Sequence, residues 1–397
     1  MKKLLLILLL FPLKLHAYDF ELDGCGYKVT SMTERTVELV ILNEREMTGE
    51  FVVPETIMFS GLEFKVTSIG LSAFAGSKLN KITVSNNILE IERGAFQSCK
   101  NLTEFIWPES VEIIKGATFY DCSNLRKVVL PPTLKAIKGH GPSYSGSGAF
   151  ENCISLEEIE LPNNLQELGG QTFAYCHSLK TIDWPNSLTI IPDKVFYHCG
   201  LISIGIPDSI VMIGNEAFSG CSRLAEVTIS DSSKITRFGY HVFYETAIAH
   251  INMPINLRII DKAWYESDYW PFSSELKSIS LPNVINTMNN GCYRNYKLEK
   301  VYSRNRNPEA ISENAFHINT LLNGVLYVPE GMVDVYKNLD GWKLFNNIQE
   351  YTPTGIEIIS NDVRDRSILY DLSGKRVSEN YVSPGLYIKN KRKIILK

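Results

Sequence analysis

Through the middle of the chain, apolar residues fall in short runs that alternate with polar ones and usually end in proline. Leu156-Glu157-Glu158-Ile159-Glu160-Leu161-Pro162 and Leu179-Lys180-Thr181-Ile182-Asp183-Trp184-Pro185 are two of them. Apolar side chains at every second position predict a strand with one face buried, and the proline stops it from continuing. A second apolar pair follows each run, such as Leu165 and Leu168 or Ile210 and Ile213. It leads to a small or β-branched residue followed by Phe. That pair recurs as Ala73-Phe74, Ala95-Phe96, Thr118-Phe119, Ala149-Phe150, Thr172-Phe173, Val195-Phe196, Ala217-Phe218, Val242-Phe243 and Ala315-Phe316.

The first eight Phe are separated by 22, 23, 31, 23, 23, 22 and 25 residues. With Phe272 and Tyr293 in the two places before Phe316, the chain holds about eleven units of near-constant length, within the range of leucine-rich repeats. One such unit cannot bury its apolar face alone. Stacked units can, because each covers its neighbour and the strands form a parallel sheet. Eleven rungs at ~4.8 Å each predict a body about 50 Å long.

The AF pairs, the Cys three residues after many of them and the LxxIxLP strands resemble the BspA-type leucine-rich-repeat family of exported bacterial proteins. The resemblance implies a repeat solenoid, mostly β with short turns and 3-10 segments. It also implies a non-catalytic surface protein that adheres to host matrix or to other cells. The ends are similar to those of the family as well. Val52-Val53-Pro54-Glu55-Thr56 and Val66-Thr67-Ser68-Ile69-Gly70 look like an opening β segment. Leu326-Tyr327-Val328-Pro329-Glu330-Gly331, with Tyr336 and Gly341-Trp342, looks like a closing cap. The expected organisation is a leader at 1–17, an N-terminal β cap at 18–72, repeats at 73–328, a C-terminal cap at 329–351, and a linker with a small β module at 352–397.

Composition bears mostly on the compartment. Lys2-Lys3 precedes an unbroken apolar run at 4–11, and Leu15-His16-Ala17 ends the segment with a small residue. The run is too short to span a bilayer and reads as a secretion signal cleaved after Ala17. Nothing later approaches a transmembrane helix. Leu22-Asp23-Gly24-Cys25 loosely matches a lipoprotein box, but it lies beyond the apolar region and after Asp19 and Glu21. The formal charge is -4 and becomes -7 once Lys2, Lys3 and Lys14 leave with the leader. A mildly acidic exported chain without a basic stripe argues against nucleic-acid partners. After Tyr351, Thr352-Pro353-Thr354-Gly355 reads as a linker. The later Tyr370-Asp371-Leu372-Ser373-Gly374 and Pro384-Gly385-Leu386-Tyr387-Ile388 look like a short form of the C-terminal sorting domain of type IX secretion. It is shorter than the usual version, and a vestigial β-hairpin module accounts for it equally well.

Cysteines are the first candidate chemistry. Cys99, Cys122, Cys153, Cys176, Cys199 and Cys221 each lie three residues after a repeat Phe. In an exported chain an even set suggests disulfides, but one shared slot in successive rungs predicts a buried ladder of free thiols. Parallel side-chain directions also disfavour the bond. Cys25 and Cys292 stand outside the ladder. No CxxC, HExxH, GxSxG or GxxxxGK motif is present, so neither a metal nor any other cofactor is expected. The chain is read as a non-enzyme. The carboxylates Glu158, Glu160 and Asp183 sit on the open face of neighbouring strands, and carboxylate pairs can serve hydrolases. On a solvated sheet they are more often surface.

Ligand contact is expected in two places. The outward strand column runs Thr83, Ile106, Val129, Glu160, Asp183, Gly205, Thr228, Asn252, Ser280 and Tyr302, apolar first, then acidic, then small and polar. It is either a partner's footprint or drift on a solvated face. Two insertions break the period: 139–148 with His140 and Tyr144, and 264–272 with Trp264, Tyr265, Tyr269 and Trp270. Insertions in solenoids map to one face, often the binding one, and Trp and Tyr anchor proteins or stack on sugars. They can equally fold back to cover the solenoid. The expected partner is an extracellular protein, with a glycan bound by the aromatic insertion as the alternative. The oligomeric state is open.

Overall fold

The computed structural model describes residues 18–41, 44–139, 147–261, 272–283 and 295–351, and the backbone of four strands near the C-terminus. The chain divides into two compact units, Met1–Thr352 and Pro353–Lys397.

The larger unit is the expected repeat solenoid. It opens with a mixed sheet in which Phe20–Leu22, Cys25–Ser31 and Thr36–Ile41 run antiparallel in sequence order. Leu62–Ile69 then lies parallel to Thr36–Ile41 and forms a hairpin with Thr56–Phe59. Its buried face, with Val37, Leu39, Val66 and Ile69, closes the first end of the apolar interior.

From there the repeats, where described, contribute three edges to a rung. The first edge is the proline-ended strand, parallel to its neighbours and aligned residue for residue. Lys127–Val129 pairs with Glu104–Ile106, Ser203–Ile206 with Glu226–Ile229, and His250–Asn252 with Ser278–Ser280. The second edge is a two-residue strand built from the second apolar pair. Ile190–Ile191, Met212–Ile213, Arg237–Phe238 and Ile259–Ile260 form one such ladder. The third edge is the turn around the repeat Phe, and it carries hydrogen bonds of its own. Alternate amides donate to the next rung: Ala117 N to Ser147 O at 3.0 Å, Phe119 N to Ala149 O at 2.8 Å and Asp121 N to Glu151 O at 2.9 Å.

The turn aims its amides this way by placing two residues per rung in the left-handed region, two before and two after the Phe. Ala117 and Asp121, Lys194 and His198, and His241 and Glu245 all have φ between +52° and +60°. Each non-glycine residue held there costs roughly 1–2 kcal/mol. Three edges bonded to the next rung, with an apolar centre between them, offset that cost.

The centre is a column of aromatic rings. From Phe74 through Phe96, Phe119, Phe150, Phe173, Phe196, Phe218 and Phe243 to Phe272, consecutive centroids lie 5.1–6.5 Å apart. All nine side chains are buried. The far end is closed by Trp342 and Tyr336, both fully buried. Trp342 Nε1 donates to Glu309 O at 2.9 Å, and the Tyr336 hydroxyl donates to Asn305 O at 2.8 Å. The strand edge continues through this cap, where Val325–Pro329 and Asn347–Tyr351 add two further parallel rungs.

The strand edge is segmented rather than unbroken. Between Glu158 and Trp184 it thins to a single bridge, Lys127 to Glu158. Here Glu160 and Asp183 take equivalent outward positions on successive rungs with Glu158 close by, and like charges opposite each other oppose close pairing. Ile159 and Ile182 stay buried, so the rungs keep their place in the stack.

In the second unit, Leu369–Tyr370, Arg376–Val377, Gly385–Lys389 and Arg392–Leu396 make a four-stranded antiparallel sheet with Leu369–Tyr370 and Gly385–Lys389 at its centre.

Candidate binding face and the thiol ladder behind it

The outward positions of the strand edge form one column. Register pairs Val52 with Thr83, Ile106 with Val129, Gly205 with Thr228, Asn252 with Ser280, and Ser280 with Tyr302. Tyr302 pairs onward with Tyr327, and Tyr327 with Gln349. The column therefore begins one rung earlier and ends two rungs later than the repeat pattern alone indicates. At its first end Val52, Ile106 and Val129 are exposed by 66, 65 and 43%. Their immediate neighbours Val53, Phe105 and Val128 point inward and are buried. At Gly205 a side-chain carbon would meet no atom within 4 Å, so the middle of the face is open. At the far end Tyr302 stacks on Tyr327, with centroids 4.7 Å apart and planes at 11°, and Tyr351 packs edge-on at 5.7 Å. The Tyr351 hydroxyl donates to Ser303 O.

Charge is distributed differently on the two laddered edges. On the short-strand edge, ion pairs tie one rung to the next. Lys115 reaches Glu90 and Glu92 at 2.5 Å each, Lys135 reaches Glu112 at 2.7 Å, and Arg237 reaches Asp261 at 2.8 Å. Lys138 and Glu167 make another such pair. On the strand face, Lys81 and Glu50 are 3.9 Å apart. Glu104, Lys127, Glu158, Glu160, Asp183 and Glu226 make no ion pair among the described residues. Glu160 and Asp183 are exposed, so neither occupies the dry, walled setting that carboxylate acid–base chemistry uses.

Behind the face, the six repeat cysteines are free and buried. They do more than fill space. Each thiol donates to the carbonyl of the Phe one rung earlier: Cys99 to Phe74 at 3.1 Å, Cys122 to Phe96 at 3.0 Å, Cys153 to Phe119 at 3.2 Å, Cys176 to Phe150 at 3.3 Å, Cys199 to Phe173 at 2.8 Å and Cys221 to Phe196 at 3.0 Å. The same slot holds Ser77 in the first rung, whose hydroxyl lies 3.3 Å from Cys99 Sγ. After the last thiol it holds Thr246, whose hydroxyl donates to Phe243 O at 2.9 Å. Burial pushes the Cys122, Cys153 and Cys199 thiols well above their ordinary range and Cys221 up to about 12. Such thiols are poor nucleophiles. Among the described residues no three His, Cys, Asp or Glu are placed to hold a metal ion.

Cys25 is buried in the opening sheet, where burial raises its pKa as well. Tyr144, Trp264, Tyr265, Tyr269 and Trp270, with Cys292, Tyr293 and the leader at 1–17, lie outside the described residues. Among the described residues no helix is long and apolar enough to cross a membrane.

One cluster had no signal in the repeat grammar. On the turn edge, the His198 ring lies parallel to Tyr175 at 5.5 Å and perpendicular to Tyr197 at 4.3 Å. Lys194 sits 5.4 Å over Tyr197 and 3.3 Å from the buried Glu216 carboxylate. These residues occupy variable turn positions, and only their spacing from each Phe brings them together.

Three laddered edges around stacked Phe rings, with an exposed strand column, define a leucine-rich-repeat solenoid. The BspA-type leucine-rich-repeat model matches residues 56–141, 143–270 and 266–337, in six copies, and the chain belongs to that family. A leucine-rich-repeat protein from Bacteroides ovatus is similar in structure, with a TM-score of 0.59 and 24% identity over 84% of this chain and 77% of that one. A leucine-rich cell surface protein from Faecalibacterium prausnitzii aligns at 19% identity over 85% of this chain and 95% of its own, with a TM-score of 0.48. The pneumococcal vaccine antigen PcpA aligns at 18% identity over 84% and 98%, with a TM-score of 0.47. At these identities the likeness is one of fold. No curated protein matches the sequence.

Proposed function

We propose that this chain is an exported, non-catalytic binding scaffold that attaches to host or cell-surface macromolecules through the strand face. The observation that carries this reading is that three of the first four outward positions, Val52, Ile106 and Val129, with Thr83 between the first two, are large apolar side chains left in solvent. Single exposed apolar residues are ordinary, whereas several on one face, here with Ile106 and Val129 on adjoining rungs, mark an interaction site. The face is also held in place by hydrogen bonds between the described rungs, most of them on the short-strand and turn edges where the strand edge thins, so binding spends little on ordering the surface. The leader-like N-terminus supports export.

A second reading, a glycan-binding accessory protein using Trp264, Tyr265, Tyr269 and Trp270, draws support from the aromatic pair Tyr302 and Tyr327, which stacks on the strand face. Binding of residues 18–397 to arrayed extracellular-matrix proteins and to arrayed glycans separates the two. Saturable binding to a matrix protein that disappears in Ile106→Asp/Val129→Asp supports the scaffold reading. Glycan binding lost only in Trp264→Ala/Trp270→Ala would replace it with the second.

A further inference from the structure

The first six rungs of the strand face, from Val52 to Asp183, combine two features that specify the partner's chemistry. The central column runs Val52, Thr83, Ile106 and Val129, apolar at three of these four positions, and becomes acidic at Glu160 and Asp183. Beside it run Glu50, Lys81, Glu104, Lys127 and Glu158, so these two columns carry five carboxylates against two lysines. Three of those carboxylates, Glu158, Glu160 and Asp183, are gathered on the last two rungs. On the short-strand edge of the same solenoid, acids in similar numbers are neutralised by lysines and an arginine from an adjacent rung. On this face Glu104, Glu158, Glu160 and Asp183 are left without a cation among the described residues, and the strand pairing itself loosens where they meet.

We propose that this stretch docks a protein segment whose apolar side chains end in a cluster of Lys or Arg. The apolar part lies on Val52, Ile106 and Val129, and the basic end meets Glu158, Glu160 and Asp183. The inference rests on the reading of the strand face as the binding surface and adds the identity of the occupant. Six rungs at ~4.8 Å span roughly 24 Å, which an extended segment of about seven residues crosses. The apolar centre supplies affinity, and the acidic end supplies orientation and a faster encounter. The same charges repel nucleic acids and anionic lipid surfaces, which leaves a basic protein as the partner the face fits.

The test is a random twelve-residue peptide library displayed against the immobilised full chain, followed by affinity measurement on the selected peptides as synthetic probes. The expected consensus places apolar residues next to Lys or Arg. Affinity should fall about tenfold in Glu160→Lys/Asp183→Lys, less in Glu160→Gln/Asp183→Asn, and weaken with added salt. Glu167→Lys, on the short-strand edge, should leave it unchanged. Thermal melting of each variant shows that the exposed substitutions leave the fold intact. Peptides that depend on Ile106 yet ignore the charge reversal would overturn the inference and keep the strand-face reading. Peptides indifferent to both Ile106→Asp and the charge reversal would overturn both.

Discussion

The thiol ladder lends itself to a quantitative test at Cys153, in the middle of the stack. Its side chain is fully buried, and its Sγ donates to Phe119 O, which also accepts the amide of Cys122 at 3.2 Å. In Cys153→Ala that carbonyl keeps one donor, so no acceptor is orphaned. The cost is then the lost transfer of one sulfur, about 0.8 kcal/mol on the methylene scale. A cavity of roughly one atom adds about 0.5 kcal/mol, and the weak thiol bond about 0.5 kcal/mol. The sum is about 2 kcal/mol, which lowers the melting temperature by about 4 °C. Cys153→Ser should lose about half as much, because a hydroxyl in the same place can donate to Phe119 O. Cys153→Leu should be the worst, at about 3 kcal/mol or more, since rungs bonded along three edges cannot spread to admit the extra carbons. Thermal unfolding of the purified variants gives the ranking, with and without reductant. Melting at the same temperature in both, in the order wild type, Ser, Ala, Leu, is the expected outcome. An alanine variant as stable as wild type, or a large loss of stability on adding reductant, would refute the ladder.

Three further outcomes follow from the packing. Gly220 has φ +73°, and a side-chain carbon there would sit 2.5 Å from the His198 ring, so Gly220→Ala should cost about 2 kcal/mol in urea unfolding. Trp342→Ala removes the fully buried plug of the C-terminal cap and its bond to Glu309 O, and should cost about 4 kcal/mol by the same measurement. Burial raises the Cys221 thiol from 9.0 to about 12 and the Tyr336 hydroxyl from 10.0 to about 12. The folded state therefore keeps protons that the unfolded chain gives up. The stability these groups contribute is complete below about pH 9 and is lost as the pH climbs to about 12. An alkaline melt of wild type beside Tyr336→Phe checks this, with the variant losing less over that window.

Much of this architecture can be read from spacing alone. A Phe every 22 or 23 residues, an alternating strand and a proline leave few ways to arrange a rung, so the inward residues and the outward column follow directly. The cysteine slot is legible too, but its bond is not. That each thiol meets a carbonyl one rung back depends on how the turn is wound, and the turn is wound by left-handed residues of many types. Ala117, Tyr175, Lys194 and Glu216 carry no glycine signature, and only the hydrogen bonds of the third edge hold them there. The closing segment at 326–329 is legible as well, but not that the outward column continues through it, because Val325–Pro329 and Asn347–Tyr351 pair as strands without the Phe and Cys of the repeat unit. On the face, the sequence lists Glu158, Glu160 and Asp183 as readily as Glu90 and Glu112. Their difference lies in the neighbours' reach: Lys115 and Lys135 arrive at the second pair of acids, and among the described residues nothing comparable arrives at the first three.

The central claim is that the strand column is where this protein binds, and carboxyl footprinting of the full chain tests it most directly. The chain would be labelled free and saturated with a matrix protein or selected peptide that it binds, and the labelling of each Asp and Glu compared by mass spectrometry. Glu104, Glu158, Glu160 and Asp183 should become protected, while Glu112 and Glu167 on the short-strand edge keep their reactivity. Protection confined to Glu112 and Glu167, with the strand-face carboxylates unchanged, would contradict the account.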